Sequence, residues 1–150
     1  MEHPKDVGDR STLAIMVVLC ELAYAVYVPF SEHNRCDLVI EADGVLSRVQ
    51  CKTGRLRDGS IRFAVCSTYG HYKRPGNVRR DYRGQIDCFA VFCPETAGVY
   101  LIPIDDISTR STAYLRHDPP KNAQRAKVRF AADYEIGRVA IGGLRAPSGA

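Results

Sequence analysis

Between Ser11 and Tyr27 the chain is apolar through Leu13-Ala14-Ile15-Met16-Val17-Val18-Leu19, with Leu22 and Ala23 one turn later and Glu21 as the only charge. That spacing predicts a helix followed by a short strand at 25–28, and a helix apolar around so much of its circumference must pack against a sheet. Asp9, ahead of Arg10-Ser11-Thr12, is placed as its N-cap. Two further apolar runs, 37–41 and 45–52, are separated by Asp43-Gly44. Asp-Gly between strands predicts a two-residue type I′ turn, because both central residues need positive φ and the primed twist matches the flanking strands. Pairing follows by subtraction: Ala42 faces Val45, Ile40 faces Ser47, and Asp37 lies opposite Gln50. Side chains alternate along a strand, so Lys52 shares the face of Gln50 while Val49 and Cys51 take the other.

Further along, 61–67 reads as a fourth strand with Ile61, Phe63 and Val65 inward and Arg62 outward. The segment 68–84 interleaves aromatics and cations around Pro75 and Gly76, and is predicted to be a surface loop. Residues 86–92 and 99–104 form a predicted hairpin across 93–98. Asp87 is read as polar cover at a strand start or as an auxiliary site residue, and Asp105-Asp106 as a turn or helix cap. Residues 107–129 are mixed, 130–139 forms a short helix, and 142–150 a flexible tail. The expected architecture is one domain over 1–140 of mixed α/β class, a central mixed sheet flanked by helices.

Composition narrows the setting. A chain of 150 residues, 45% of them hydrophobic, can build one well-filled core. No run reaches the roughly 20 apolar residues of a membrane span, and the N-terminal stretch with Glu2, Asp6 and Asp9 lacks a basic leader. The six cysteines sit mostly in apolar runs without a Cys-x-x-Cys pair, which reads as reduced core thiols and a cytoplasmic protein. The net charge of +4 is unevenly spread: the first fifty residues carry eight acids against four Lys/Arg, whereas Lys52 to Arg83 holds nine Lys/Arg and two acids. Such clustering is the expected footprint for a polyanion. Arg55, Arg57 and Arg62, with His71, Tyr72, Lys73, Arg74, Arg79, Arg80 and Arg83, are the candidate DNA contacts, cations for phosphates and aromatics for sugars or a groove.

The face that collects Asp37, Gln50 and Lys52 has the groups that metal-assisted phosphodiester cleavage requires. Hard oxygens suit a magnesium-like cation, and an ammonium serves the attacking water or the developing phosphorane charge. The competing reading is a solvated hairpin face. Against it stands the neighbourhood of Leu38-Val39-Ile40 and Val49, since polar groups at the ends of buried strands are costly unless something binds them.

From Gly8 to about Arg57, and most clearly at Val28-Pro29-Phe30, Arg35-Cys36-Asp37-Leu38-Val39-Ile40 and Arg48-Val49-Gln50-Cys51-Lys52-Thr53, the chain resembles PD-(D/E)XK nucleases of the group I intron-associated type. That branch carries Gln-x-Lys in place of Glu-x-Lys. The resemblance implies a restriction-endonuclease-like core, Asp37 and Gln50 as ligands of Mg2+ (with Mn2+ able to substitute), Lys52 as the catalytic lysine, double-stranded DNA as substrate, and a homodimer or homotetramer. One departure stands out. Family members place a glutamate on the first helix, and the corresponding position here is Thr12, a poor uncharged ligand. Asp9 and Glu32 are the candidate substitutes, with Glu21 weaker because it lies about half a turn around the helix. Two alternatives therefore accompany the endonuclease reading: a Holliday-junction resolvase or repair nuclease of the same fold, and a catalytically silent DNA-binding protein.

Overall fold

The computed structural model describes residues 2–70, 77–119 and 128–136, with 68–70 and 77–81 described as backbone. The first helix, α1, spans Pro4–Glu21 and starts well before the expected point. Pro4 supplies a preset φ at the helix start, where its missing N–H costs nothing. His3 is the N-cap, its Nδ1 accepting from the Lys5 amide at 3.2 Å. Asp9 is consequently an exposed residue inside the helix and not its cap. Ser11, Ile15 and Leu19, spaced by four, are the buried stripe.

Strands β1 (Ala25–Tyr27), β2 (Leu38–Ala42), β3 (Val45–Thr53), β8 (Cys88–Cys93) and β9 (Gly98–Pro103) form one mixed sheet in the order β1-β2-β3-β8-β9. All neighbours are antiparallel except β3 and β8, which run parallel. The turn between β2 and β3 is as expected: Asp43 has φ 51° and Gly44 φ 80°, and Ala42 pairs with Val45 and Ile40 with Ser47.

A parallel pair needs a crossover. Here it is built largely from strands: β4 (Arg55–Arg57), β5 (Ser60–Ala64), β6 (Cys66–Gly70) and β7 (Asn77–Asp81). The expected single strand at 61–67 is therefore two, broken at Val65, and the expected loop at 68–84 contains most of the β6–β7 hairpin. Strand β10 (Thr112–Arg116), inside the segment read as mixed, completes a second sheet in the order β10-β5-β4. An Asp58-Gly59 turn with φ 51° and 76° joins β4 to β5 and repeats the dipeptide signal at 43–44. A 3-10 turn at Ile104–Asp106 and the short helix α2 (Ala131–Tyr134) follow the expectations for those segments. His71, Tyr72, Lys73, Arg74 and the tail at 142–150 lie outside the described residues.

The five-stranded sheet is thus covered differently on its two faces. Ile15 and Leu19 of α1 pack on Leu38, Ile40, Val49, Cys88, Ala90 and Leu101. On the other face Ile61, Phe63, Ala113 and Leu115 of the small sheet pack on Phe89, Val91 and Ile102, where flanking helices were expected. Gly54 is where the chain passes from one layer to the other. Its N–H bonds the Phe92 carbonyl at 2.8 Å, and a Cβ there would come within 2.7 Å of Ile61 Cγ2 and 2.8 Å of Val91 Cγ1, both fully buried. Only glycine lets the two sheets approach this closely. No helix among the described residues is long and apolar enough to cross a membrane.

Candidate active site

The site lies where β2 and β3 part. The ladder runs in the expected register to Leu38 opposite Val49, after which the Asp37 amide bonds the Val49 carbonyl at 2.8 Å, one residue out of step. The Asp37 side chain then takes over from the backbone, its Oδ2 accepting from the Cys51 amide at 2.9 Å. Asp37 therefore does not pair squarely with Gln50, but its carboxylate is fixed beside residues 50–52. Gln50 and Lys52 stand in register with Phe89 and Val91 of β8 and share their face, while Val49 and Cys51 point toward α1.

Electrostatics distinguish Asp37 from an ordinary surface acid. Burial pushes its pKa upward, and this outweighs the opposing pull of the Cys51 amide and the positive charge of Lys52. Oδ1 has no hydrogen-bond partner among the described residues, and the same holds for the Gln50 side chain. Two hard oxygens at one strand end, one ionisable and under-compensated, fit a divalent cation that retains much of its water. They do not form a cage: among the described residues no three His, Cys, Asp or Glu side chains converge. Asp9 and Glu32 are both exposed, and Glu21 is exposed at the far end of α1.

Thr12 lies where the sequence places the missing helix acid. Its hydroxyl donates to the Gly8 carbonyl at 3.1 Å and is also within hydrogen-bonding reach of the Cys51 thiol, the residue whose amide holds Asp37. That thiol is pushed up to about 12, by burial first and then by Asp37, so it remains a neutral thiol. Beside it, Ser11, 2% exposed, shares a 2.5 Å hydrogen bond with Thr53 and locks the helix to the end of β3.

Lys52 points its ammonium at Tyr82, with Nζ 3.3 Å from the hydroxyl and 4.9 Å from the ring centre. Arg35 stacks over the same ring at 3.9 Å. Reading the sequence missed this contact because the partners are 30 residues apart. Tyr82 looked like one more aromatic in a basic segment. Asp87 is occupied structurally: its Oδ2 accepts from the Arg48 amide at 2.7 Å and its Oδ1 from the guanidinium at 3.1 Å, and the Arg48 hydrogen bonds hold its pKa down.

The candidate DNA contacts are scattered. Arg55 and Arg62 face each other across β4 and β5, with Arg55 4.0 Å from Glu95 and Arg62 3.1 Å from Asp58; Arg57 is exposed. Arg83 donates to the Ile107 carbonyl at 3.0 Å. Arg79 and Arg80 lie on β7, opposite Thr68 and Ser67. Partly exposed ion pairs such as those of Arg55 and Arg62 contribute about 0–1 kcal/mol, so exchanging them for phosphate contacts costs little.

The mixed sheet, with Asp37 just ahead of β2 and Gln50 and Lys52 toward the end of β3, is the arrangement expected of a nuclease. The chain belongs to the PD-(D/E)XK endonuclease family, whose sequence model matches residues 2–137. Among solved structures it is similar to a bacterial homing endonuclease, I-Ssp6803I, with a TM-score of 0.74 at 23% identity over 89% of each chain. No curated protein matches it. Nucleases of this family use divalent metals, in keeping with the oxygen donors at Asp37 and Gln50.

Proposed function

We propose that the protein is a magnesium-dependent endonuclease of the homing type that cuts double-stranded DNA, with manganese able to substitute, and that Asp37, Gln50 and Lys52 carry the reaction. The observation that bears most weight is the Asp37 carboxylate, half-buried, tied through one oxygen to the Cys51 amide and under-compensated by its surroundings. A carboxylate in that condition gains from a cation. When bound, the divalent ion supplies Lewis-acid stabilisation of phosphoryl charge and a more acidic water. Asp37 and the amide oxygen of Gln50 hold the ion; Lys52 presents its ammonium to the phosphate and stabilises negative charge as the P–O bond breaks. The arginines of β4 and β5 contact flanking phosphates. Cutting both strands is most simply done by a homodimer or homotetramer, a reading supported by the exposed apolar side chains of Leu13 and Val17, one turn apart on the outer side of α1.

Supercoiled plasmid incubated with the protein and Mg2+ is expected to be nicked and linearised, and EDTA to stop the reaction. Salt-sensitive DNA binding without cleavage in either Mg2+ or Mn2+ would defeat the enzyme reading and leave a silent DNA-binding protein. Thr12 favours that second reading, since among the described residues it leaves one carboxylate where the family resemblance implies two. Thr12→Glu, restoring a negative charge beside the Cys51–Asp37 contact, is expected to lower the Mg2+ concentration needed for half-maximal cleavage by about tenfold, because ligand charge is a principal determinant of affinity for hard cations. Titration of cleavage rate against Mg2+ measures it.

A further inference from the structure

Lysine is a four-carbon flexible stem with about 2 kcal/mol of rotamer entropy, so a lysine that must present its charge at one point has to be held there. In this fold the holder is identifiable. Tyr82 is 3% exposed and arrives immediately after β7. Its carbonyl accepts from the amides of Gln85 and Ile86 at 3.0 and 3.3 Å, which makes the backbone there a tight turn. Its ring meets Phe89 edge-on, with centroids 5.6 Å apart and planes at 89°. The opposing support is Arg35, whose guanidinium lies over the ring and is itself fixed by Gln85 Oε1 and Ser67 Oγ, both at 2.6 Å. Backbone turn, aromatic neighbour and stacked arginine together leave the Tyr82 hydroxyl little freedom. The Lys52 ammonium donates to that hydroxyl.

We propose that Tyr82 is the positioning residue for Lys52: its hydroxyl fixes the ammonium on the side of the sheet that carries Gln50, within electrostatic reach of Asp37, and the Arg35 stack fixes the hydroxyl. The proposal rests on the reading of Lys52 as catalytic. Its physical content is orientation. Tyr82 is buried and acts through Lys52, so its loss should slow the chemical step and leave binding unchanged. The device also explains why Arg35, two residues ahead of Asp37, has partners on the far side of the crossover: it ties the start of β2 to the segment that leads into β8.

The informative variant is Tyr82→Phe, which keeps the ring, the edge-on contact to Phe89 and the stack with Arg35, and removes one oxygen. Single-turnover cleavage at saturating DNA and Mg2+ is expected to fall about tenfold, the size of losing one oriented hydrogen bond to a charged group. The DNA dissociation constant in Ca2+ and the thermal midpoint are expected to match wild type. Cleavage at the wild-type rate overturns the proposal, as does a loss that appears as weaker DNA binding with an unchanged saturated rate. A lowered midpoint accompanying the slow rate would assign Tyr82 a merely structural role and overturn it as well. Lys52→Ala, run alongside, separates the two claims: if it cuts as well as wild type, the catalytic reading of Lys52 fails first. If it is inactive while Tyr82→Phe is normal, only the positioning role fails.

Discussion

Asp37→Asn is expected to remove cleavage, by on the order of a thousandfold or more, while leaving the metal-free protein at least as stable as wild type at neutral pH. The activity loss follows from taking away the one carboxylate that the described residues place at the site; metal-borne charge stabilisation amounts to several kcal/mol of barrier, and each 1.36 kcal/mol is about tenfold in rate. The stability result has the opposite sign for a physical reason. Burial holds the Asp37 pKa above its ordinary value in the fold. As pH rises through that ordinary value the unfolded chain gives up its proton first and the folded chain keeps it longer. The folded state therefore binds more protons in this window, and stability declines as pH rises until the folded pKa is passed. Above it, the full cost of the buried charge is present. Asparagine carries no such charge, and its amide oxygen can still accept from Cys51, preserving the contact that closes the end of the ladder. Urea unfolding of both proteins in EDTA at acid and neutral pH, with plasmid cleavage in Mg2+, measures both halves. A purely structural Asp37 would give the reverse: a less stable variant whose residual folded fraction still cuts.

How much of this was legible beforehand depended on whether the information was local. The β2–β3 hairpin was readable because Asp43-Gly44 dictates its turn and the turn dictates the register, so the shared face of Gln50 and Lys52 followed by counting. The same dipeptide at 58–59 encodes the turn of the β4–β5 hairpin in the same way. Asp9 is a good cap in isolation, but Pro4 and His3 start α1 earlier. The one-residue slip at Asp37 is not visible in any pattern, since it depends on a side chain competing with the ladder for the Cys51 amide. Nor is the small sheet on the second face. That sheet brings together residues as distant as Ser60 and Arg116, and nothing in a window of either segment encodes the other. The Arg35–Tyr82–Lys52 stack fails to be legible for the same reason.

Lys52→Ala is expected to reduce the cleavage rate roughly a thousandfold, a magnitude typical of losing a positioned proton-transfer or charge-stabilising group, with less than about a tenfold change in DNA affinity. Affinity for duplex DNA is spread over many phosphate contacts, and the arginines of β4, β5 and β7 remain in the variant. The rate is not spread in this way. Lys52 is the cation that acts on Asp37, and removing it both takes a charge from the phosphate and lets the Asp37 pKa climb further. Raising pH and Mg2+ together should recover whatever part of the defect comes from a protonated Asp37, and should leave the larger part, which belongs to the transition state. Lys52→Arg is expected to recover little, because a planar guanidinium is a different donor from a compact ammonium and is less able to use the single oxygen of Tyr82. Single-turnover rates over pH and Mg2+ for the two variants decide it. Full recovery of Lys52→Ala at high pH and Mg2+ would mean that the lysine serves only to keep Asp37 ionised, and the charge-stabilising role would then pass to another group.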